Sequence, residues 1–406
     1  MRITNIEPYL VGLELKIPFR FAYGTFRVVP RVFVRLETDA IGDGGFAWGE
    51  AAIDFPFIDY DMYDVYDAIR KSTASIVGSD LNERGDLLLS PFLDVAPAAR
   101  CALNMAADDA LGRVRGISSA ELYGVKREPG AALRSLGFDE SGRIDTWANV
   151  QGIPKIKLGQ GVPADINALT VAEQLSVQTK RRYAVDFNAS YSIEQIRLFI
   201  QQLQDIGCSC ANCIMWEQPL EPSVPISDWE QLVQLIKFSG LNLILVADES
   251  FITAEAGRDL VRIGVGLNYK IQKFGGILAA VDLEAQIDRP MQSFIGGTIP
   301  SPLGRAYDRL ASRVLVSANL PGDGTSDANE YLSRRCGAAF SLSHRDFGLG
   351  VEPVEDTFKR LIIEDPIEEF RRIRTGKTPS RIDMQLNVSY LDSYRELSGR
   401  DIGWNL

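Results

Sequence analysis

The sequence predicts an α/β fold, a (β/α) barrel joined to a second, α+β unit that caps it. Three observations carry this. Three short apolar runs each end in an acid, Tyr-Ala-Val-Asp186, Ile-Met-Trp-Glu217 and Leu-Val-Ala-Asp248, and the acids stand 31 residues apart, twice. One strand–helix unit of an eight-unit barrel takes about 31 residues, because such barrels run to about 250. The first 124 residues read as strands followed by helices, whereas from about residue 131 strand and helix signals alternate. With 406 residues the chain also exceeds one barrel, so a further domain is expected.

In chain order, Val32-Phe-Val-Arg-Leu-Glu alternates apolar and polar, and Asp43-Gly-Gly turns the chain back into Phe46-Ala-Trp48-Gly-Glu50, an antiparallel pair. Residues 61–124 read as helical and alanine-rich, and the alanines of Pro97 to Val114 allow close packing. Barrel strands are expected near 131–137, 154–159, 183–188, 213–218, 243–249, 266–272 and 291–297, with an eighth near 338–343. Between them, Ser192-Ile-Glu-Gln195 is a capping box, Gly207 stops its helix, Ser227-Asp-Trp-Glu230 reads as a second box, and Thr253 caps a third helix. The segment 351–406 is too long for a frayed end and is expected to return to the first domain.

Composition narrows the function classes. Hydrophobic content of 46% and charged content of 24% are those of a globular protein. Net charge is −11 with no basic stripe, which argues against nucleic acid. There is no apolar signal core at the N-terminus and no run of about 18 apolar residues, so no membrane partner and a cytoplasmic location are expected. Five cysteines, an odd number, argue against a disulfide framework. Cys208-Ser-Cys210-Ala-Asn-Cys213 lacks the second pair that a structural zinc site needs, so small buried or loop thiols are expected there. The single histidine, His344, leaves any histidine-based mechanism one candidate, and its expected place is an ordinary surface or core position.

Strand parity then selects side chains. Equal spacing puts Asp186, Glu217 and Asp248 at the C-terminal ends of successive parallel strands, and three oxygen ligands converging there suit a hard cation such as Mg²⁺. Lys155 and Lys157 are two apart and point the same way, between Ile156 and Leu158. A Lys-X-Lys by itself means two solvated lysines, but buried lysines need pairing, and the neighbouring acids supply it. Asp186 and Asn188 share a face. Lys270 and Gln272 are expected on one face of the sixth strand with Lys273 on the other or beyond the strand end, so that Lys270 faces the metal. Glu249, off parity, is expected beside Asp248 as its support. A divalent ion that chelates a carboxylate stabilises the enolate left when an α-proton departs, and a lysine with cationic neighbours is a competent base.

Taken in order, Lys-Ile-Lys157, Asp186-Phe-Asn188, Trp-Glu217-Gln-Pro, Ala-Asp248-Glu249-Ser and Lys270 followed by Gly275-Gly276 resemble the enolase superfamily. The Lys-X-Lys with a lysine on the sixth strand resembles its muconate lactonising enzyme subgroup, most closely the o-succinylbenzoate synthases and N-acylamino acid racemases. Pro18 to Gly24, with Tyr23, resembles a first-domain loop that closes over substrate, and Trp48-Gly-Glu50 with Phe55-Pro56-Phe57 resembles a second. The resemblance implies an enolase-type modified (β/α) barrel at 129–350, an α+β capping domain at 1–128, and 351–406 returning to the cap. It implies that Asp186, Glu217 and Asp248 bind Mg²⁺, with Mn²⁺ as the alternative ion. Lys157 and Lys270 would be the acid–base pair, Lys155 would hold charge, and Asn188, Tyr23, Phe55, Gly296, Gly297 and Thr298 would contact a small-molecule carboxylate. The activity implied is α-proton abstraction through an enolate, as in an o-succinylbenzoate synthase-like dehydratase (a lyase) or an N-acylamino acid racemase. Dipeptide epimerase or muconate cycloisomerase is the alternative, and a metal-binding relative without turnover is another. A homo-oligomer is expected by the same likeness. Two departures stand out: Thr298-Ile-Pro-Ser-Pro302 has no acid where the subgroup has one after Gly296-Gly297, and Asp323-Gly-Thr-Ser-Asp327 lacks the epimerases' Asp-X-Asp spacing.

Overall fold

The computed structural model describes residues 1–21, 24–41, 45–53, 60, 62–81, 93, 96–136, 147, 150–287, 292–342 and 347–362, without the side chains of 18–27. Tyr23, Asp43 and Gly44 of the expected turn, Phe55 to Phe57, His344 and 363–406 lie outside the described residues.

Strands β1 (Ile3–Phe21), β2 (Gly24–Thr38) and β3 (Ala47–Ala51) form an antiparallel sheet in that order. Alternation in β2 predicts one wet face; instead both faces are covered. Val32, Val34 and Leu36 pack on helices α1 (Met62–Ile76) and α2 (Pro97–Arg115). Phe33, on the other face, meets Phe340 and Phe358. Arg31 and Glu50, polar residues that the pattern assigns to water, are therefore buried. The alanines of α2 permit close approach: a Cβ on Gly49 of β3 would stand 1.9 Å from the Ala102 carbonyl oxygen. Gly116, with φ 66°, ends α2, and a short α3 (Ser119–Leu122) follows behind a Ser118–Glu121 capping box.

Seven parallel strands follow in sequential order: β4 (Leu133–Leu136), β5 (Ile153–Lys157), β6 (Tyr183–Asp186), β7 (Cys213–Glu217), β8 (Ile244–Ala247), β9 (Gly266–Tyr269) and β10 (Ser293–Ile295). Helices α4 (Val162–Thr179), α5 (Ile193–Asp205), α6 (Ile226–Ser239) and α7 (Ala254–Arg262) alternate with them. The Ser192–Gln195 box and the Thr253 cap form as expected. The Ser227 box does not. Pro225, with φ −66°, is the residue before α6, so the helix starts at Ile226 and Ser227 lies inside its first turn.

The eighth strand is also displaced from its expected place. Phe340–Leu342 (β11) pairs antiparallel with Val351–Pro353 (β12), and Leu342 is exposed, as no inner barrel strand is. The gap between β10 and β4 is closed by residues 317–322. Ser293 N–H donates to Ser317 O (3.1 Å) and Asn319 N–H to Ser293 O (3.0 Å), while on the other side Leu133 N–H donates to Gly322 O (3.1 Å) and Gly322 N–H to Ala131 O (3.0 Å). Leu320-Pro-Gly breaks the apolar alternation that marks a strand, which hid this segment. Leu133, Ala184, Met215, Val246 and Phe294 form one apolar plug within the sheet. Beyond β12, the helix Glu355–Lys359 brings Phe358 edge-on against Tyr9, Phe33 and Trp48 of the cap.

Candidate active site

The plug fixes where the charges stand. Ala184, Met215 and Val246 each lie two residues before Asp186, Glu217 and Asp248, so on an alternating strand each acid rises on the same face, one layer above the plug. Register sets Asp186 opposite Glu217, while Glu217 pairs with Val246, so Asp248 stands two residues further along, just past β8. Lys157 pairs with Asp186 on the other side. All three acids, Lys155 and Lys157 are buried.

The buried lysines are paired as the burial rule requires. Lys155 Nζ lies 2.7 Å from Glu217 Oε2 and 3.4 Å from Asp186 Oδ2, and also bonds Asp323. Lys157 Nζ is 2.5 Å from Asp186 Oδ2. At the far end of the row, Lys270 Nζ is 2.6 Å from Asp248 Oδ2 and Lys273 Nζ is 2.6 Å from Oδ1. The separation of Lys270 from Lys273 by strand parity does not hold. β9 ends at Tyr269, Lys270 caps the single helical turn α8 (Ile271–Phe274), and in a helix residues three apart share a face. For the same reason Gln272 does not join Lys270. Its amide turns to the cap, accepting from Ala52 N–H and donating to Glu50 O, both at 3.1 Å.

Electrostatics follow from burial and these partners. Burial opposes the Lys155 charge, but Asp323, Glu217 and Asp186 more than offset it and hold its pKa well above the ordinary lysine value. Burial raises Asp186 and Asp248, yet their lysines prevail and both are lowered. Glu217 goes the other way: burial, and then the nearby Asp186 charge, push it up to about 8 against the pull of Lys155. Backbone groups hold the acids in aim. Asn188 N–H donates to Asp186 Oδ1 at 2.8 Å, with Asn188 at φ 48°, and Gln218 Oε1 accepts from the N–H of Asp248 at 2.8 Å and of Ser250 at 3.1 Å.

The donor set fits a hard divalent ion in chemistry, with three buried carboxylates at adjacent strand ends. The Oδ1 atoms of Asn188 and Asn268 are buried without a hydrogen-bond partner. As it stands, each of the three carboxylates has at least one oxygen bonded to a lysine ammonium. Among the described residues, no three acidic, cysteine or histidine side chains stand together as a ready metal cage. The cysteine segment gives none either; all five cysteines are free, with Cys208 and Cys210 sulfurs 3.9 Å apart.

Several polar residues around the acids escaped the sequence reading. Asn268 Nδ2 donates to Glu217 Oε1 at 2.7 Å. It lies two residues before Lys270, and strand parity alone would have found it. Asp323, which the sequence offered only for its spacing to Asp327, sits just past the closing segment, as the other acids sit at strand ends. Gly296 and Gly297 follow β10 as expected, but their lack of a side chain serves packing. A Cβ on Gly296 would lie 2.2 Å from Asn268 Oδ1, and one on Gly297 2.4 Å from Arg305 Nη1. Thr298 O accepts from Arg31, as does Ile299 O at 2.8 Å. Glu249 is buried next to Asp248.

No family model matches the chain. It is 23% identical over 380 residues to N-succinyl-L-Arg/Lys racemase of Bacillus cereus, covering 89% of this chain and 98% of that protein. Its fold is similar to that of a dipeptide epimerase from Enterococcus faecalis complexed with Mg and the dipeptide L-Leu-L-Tyr (TM-score 0.72, 20% identity, 87% of this chain and 100% of that one). It is likewise similar to muconate lactonizing enzyme from Pseudomonas fluorescens complexed with muconolactone (TM-score 0.74, 19% identity, 89% and 99%). The resemblance to the muconate lactonising subgroup of the enolase superfamily therefore stands, and with it the enolase-type modified (β/α) barrel with an α+β cap. The relatives are racemases, epimerases and lactonising enzymes. Among the described residues no helix is long and apolar enough to cross a membrane.

Proposed function

We propose that this protein is a Mg²⁺-dependent racemase or epimerase of small carboxylates whose α-nitrogen is acylated, as in N-acylamino acids and peptides. One observation carries the reading: Lys157 and Lys270 reach the two ends of one row of carboxylates from opposite walls. Lys157 comes from β5 to Asp186, Lys270 from just past β9 to Asp248, with β6, β7 and β8 between. A substrate lying over that row would present opposite faces of its α-carbon to two amines. Asp186, Glu217 and Asp248 would hold the ion. When bound, Mg²⁺ supplies positive charge at the substrate carboxylate and stabilises the negative charge that develops as the α-proton leaves.

The chain's own groups do the rest. One lysine, as amine, takes the proton; the other, as ammonium, returns one to the opposite face, and the configuration inverts. Lys155, tied to Glu217 and Asp323, stays charged. The substrates in the relatives' names, N-succinyl-Arg/Lys and L-Leu-L-Tyr, share an α-carboxylate next to an amide nitrogen, which is the class proposed here. An o-succinylbenzoate synthase-like dehydration would use the same pocket with one lysine as base and the other as a fixed cation.

The test is α-proton exchange in deuterated water with Mg²⁺, over both antipodes of N-succinyl-lysine, N-succinyl-arginine, N-acetylated amino acids and a dipeptide set. The proposal expects deuterium in both antipodes, loss of optical purity, and no exchange in EDTA. Exchange from one antipode with retained configuration would point to the one-base dehydratase. No exchange on any member would refute proton abstraction and favour a relative without turnover.

A further inference from the structure

The turn that carries Lys270 is too short to hold itself. α8 is four residues long, and one isolated helical turn is unfavourable in water. Its shape must come from what grips it. Gln272, between the two lysines in sequence and buried, makes both of its amide bonds to the end of β3 in the cap, accepting from the N–H of Ala52, the residue after the strand, and donating to Glu50 O. Asn104 of α2 adds a bond from Nδ2 to Gly275 O at 2.8 Å, and Gly275 leaves no room for a side chain against Arg100. The same strand fastens the neighbouring rim, because Glu50 accepts from Ser301 N–H (2.9 Å) and Gly304 N–H (2.9 Å). Lys157 needs no such help. It lies on β5, which is hydrogen-bonded on both sides, to β4 and β6.

We propose that Gln272 is a positioning residue for Lys270, an amide strut from the capping sheet that fixes the turn from which this one lysine reaches the substrate. The proposal rests on the two-lysine reading above. It makes an asymmetric prediction: loosening the strut disturbs the Lys270 side of the reaction and spares the Lys157 side. A merely structural residue would lower both sides together, because both depend equally on the fraction of folded enzyme.

Comparing the two antipodes on one enzyme sample exploits this, since their ratio cancels any loss of folded protein. α-Proton exchange is measured for both antipodes of N-succinyl-lysine, or of whichever panel member exchanges fastest, with the full-length wild type, Gln272→Leu, Gln272→Glu and Lys270→Ala. Lys270→Ala identifies the antipode that Lys270 serves. Gln272→Leu removes both amide bonds; Gln272→Glu keeps an acceptor for Ala52 and loses the donor to Glu50. Misplacing a reacting group by about 1 Å can cost up to ~100-fold. Exchange of the Lys270 antipode should thus fall ~10- to ~100-fold in Gln272→Leu, with the other within about twofold and Gln272→Glu between wild type and Leu. Equal loss in both antipodes, or no loss in either, overturns the proposal. Absence of exchange in the wild type overturns the two-lysine reading itself, which is a distinguishable result.

Discussion

Gly296→Ala is a small change placed where the structure predicts a large effect. The added Cβ would lie 2.2 Å from Asn268 Oδ1 and 2.6 Å from Nδ2, where unstrained carbon contacts are well beyond 3 Å. Backbone retreat is restricted, because Gly296 N–H is bonded to Tyr269 O at 3.2 Å. The Asn268 amide must swing away, which breaks its 2.7 Å bond to Glu217. Overpacking a filled core costs ~1–3 kcal/mol, and losing an ordinary buried hydrogen bond ~0.5–1.5 kcal/mol, so a loss of about 2–4 kcal/mol is expected. The assay is urea unfolding of wild type, Gly296→Ala, Asn268→Ala and the double variant. With the amide gone, the methyl has space, and Gly296→Ala should cost under ~1 kcal/mol in the Asn268→Ala background, leaving most of that loss as coupling. An equal cost in both backgrounds would show that the clash is not with Asn268, and the account of why glycine stands here would be wrong.

Two further perturbations separate the roles of the buried charges. Lys155→Met keeps most of the volume and removes the cation shared by three buried carboxylates; removing one partner from such a group costs ~3–5 kcal/mol, so a chemical-melt difference below ~1 kcal/mol would contradict the pairing. Burial, aided by Glu50 and Asp323 and opposed by Arg305, pushes Asp308 up to about 8, above its unfolded value near ~3.9. A group raised on folding stabilises fully below its unfolded pKa and loses that stabilisation as pH rises through its folded one. Wild type should therefore lose stability relative to Asp308→Asn between pH ~4 and ~8, by up to ~1.4 kcal/mol per pH unit, and parallel stability profiles for the two would refute it.

What the sequence made legible, and what it hid, follows from the range of each interaction. Barrel units have a fixed length, so the 31-residue interval located Asp186, Glu217 and Asp248 on strand ends. Parity inside a strand is strict, so Lys155 and Lys157 were correctly turned inward. That logic failed one residue beyond β9, where the backbone becomes helical and brings Lys273 to Asp248 beside Lys270. Asp323 was set aside for its spacing to Asp327, and its place beside Lys155 was hidden because the segment before it, Leu320-Pro-Gly, has the pattern of a turn. The bonds of Arg31 and Glu50 to the 298–304 segment join residues some 250 apart, and no local pattern encodes such a pairing.

The central claim is that Asp186, Glu217 and Asp248 act as one set of ligands. Titration calorimetry with Mg²⁺, repeated with Mn²⁺ followed by electron paramagnetic resonance, tests it directly on wild type and on Asp186→Asn, Glu217→Gln and Asp248→Asn. The account predicts one ion per chain in the wild type and at least ~10-fold weaker binding in each of the three variants. Wild-type affinity retained in any one of them, with the fold intact, would contradict it.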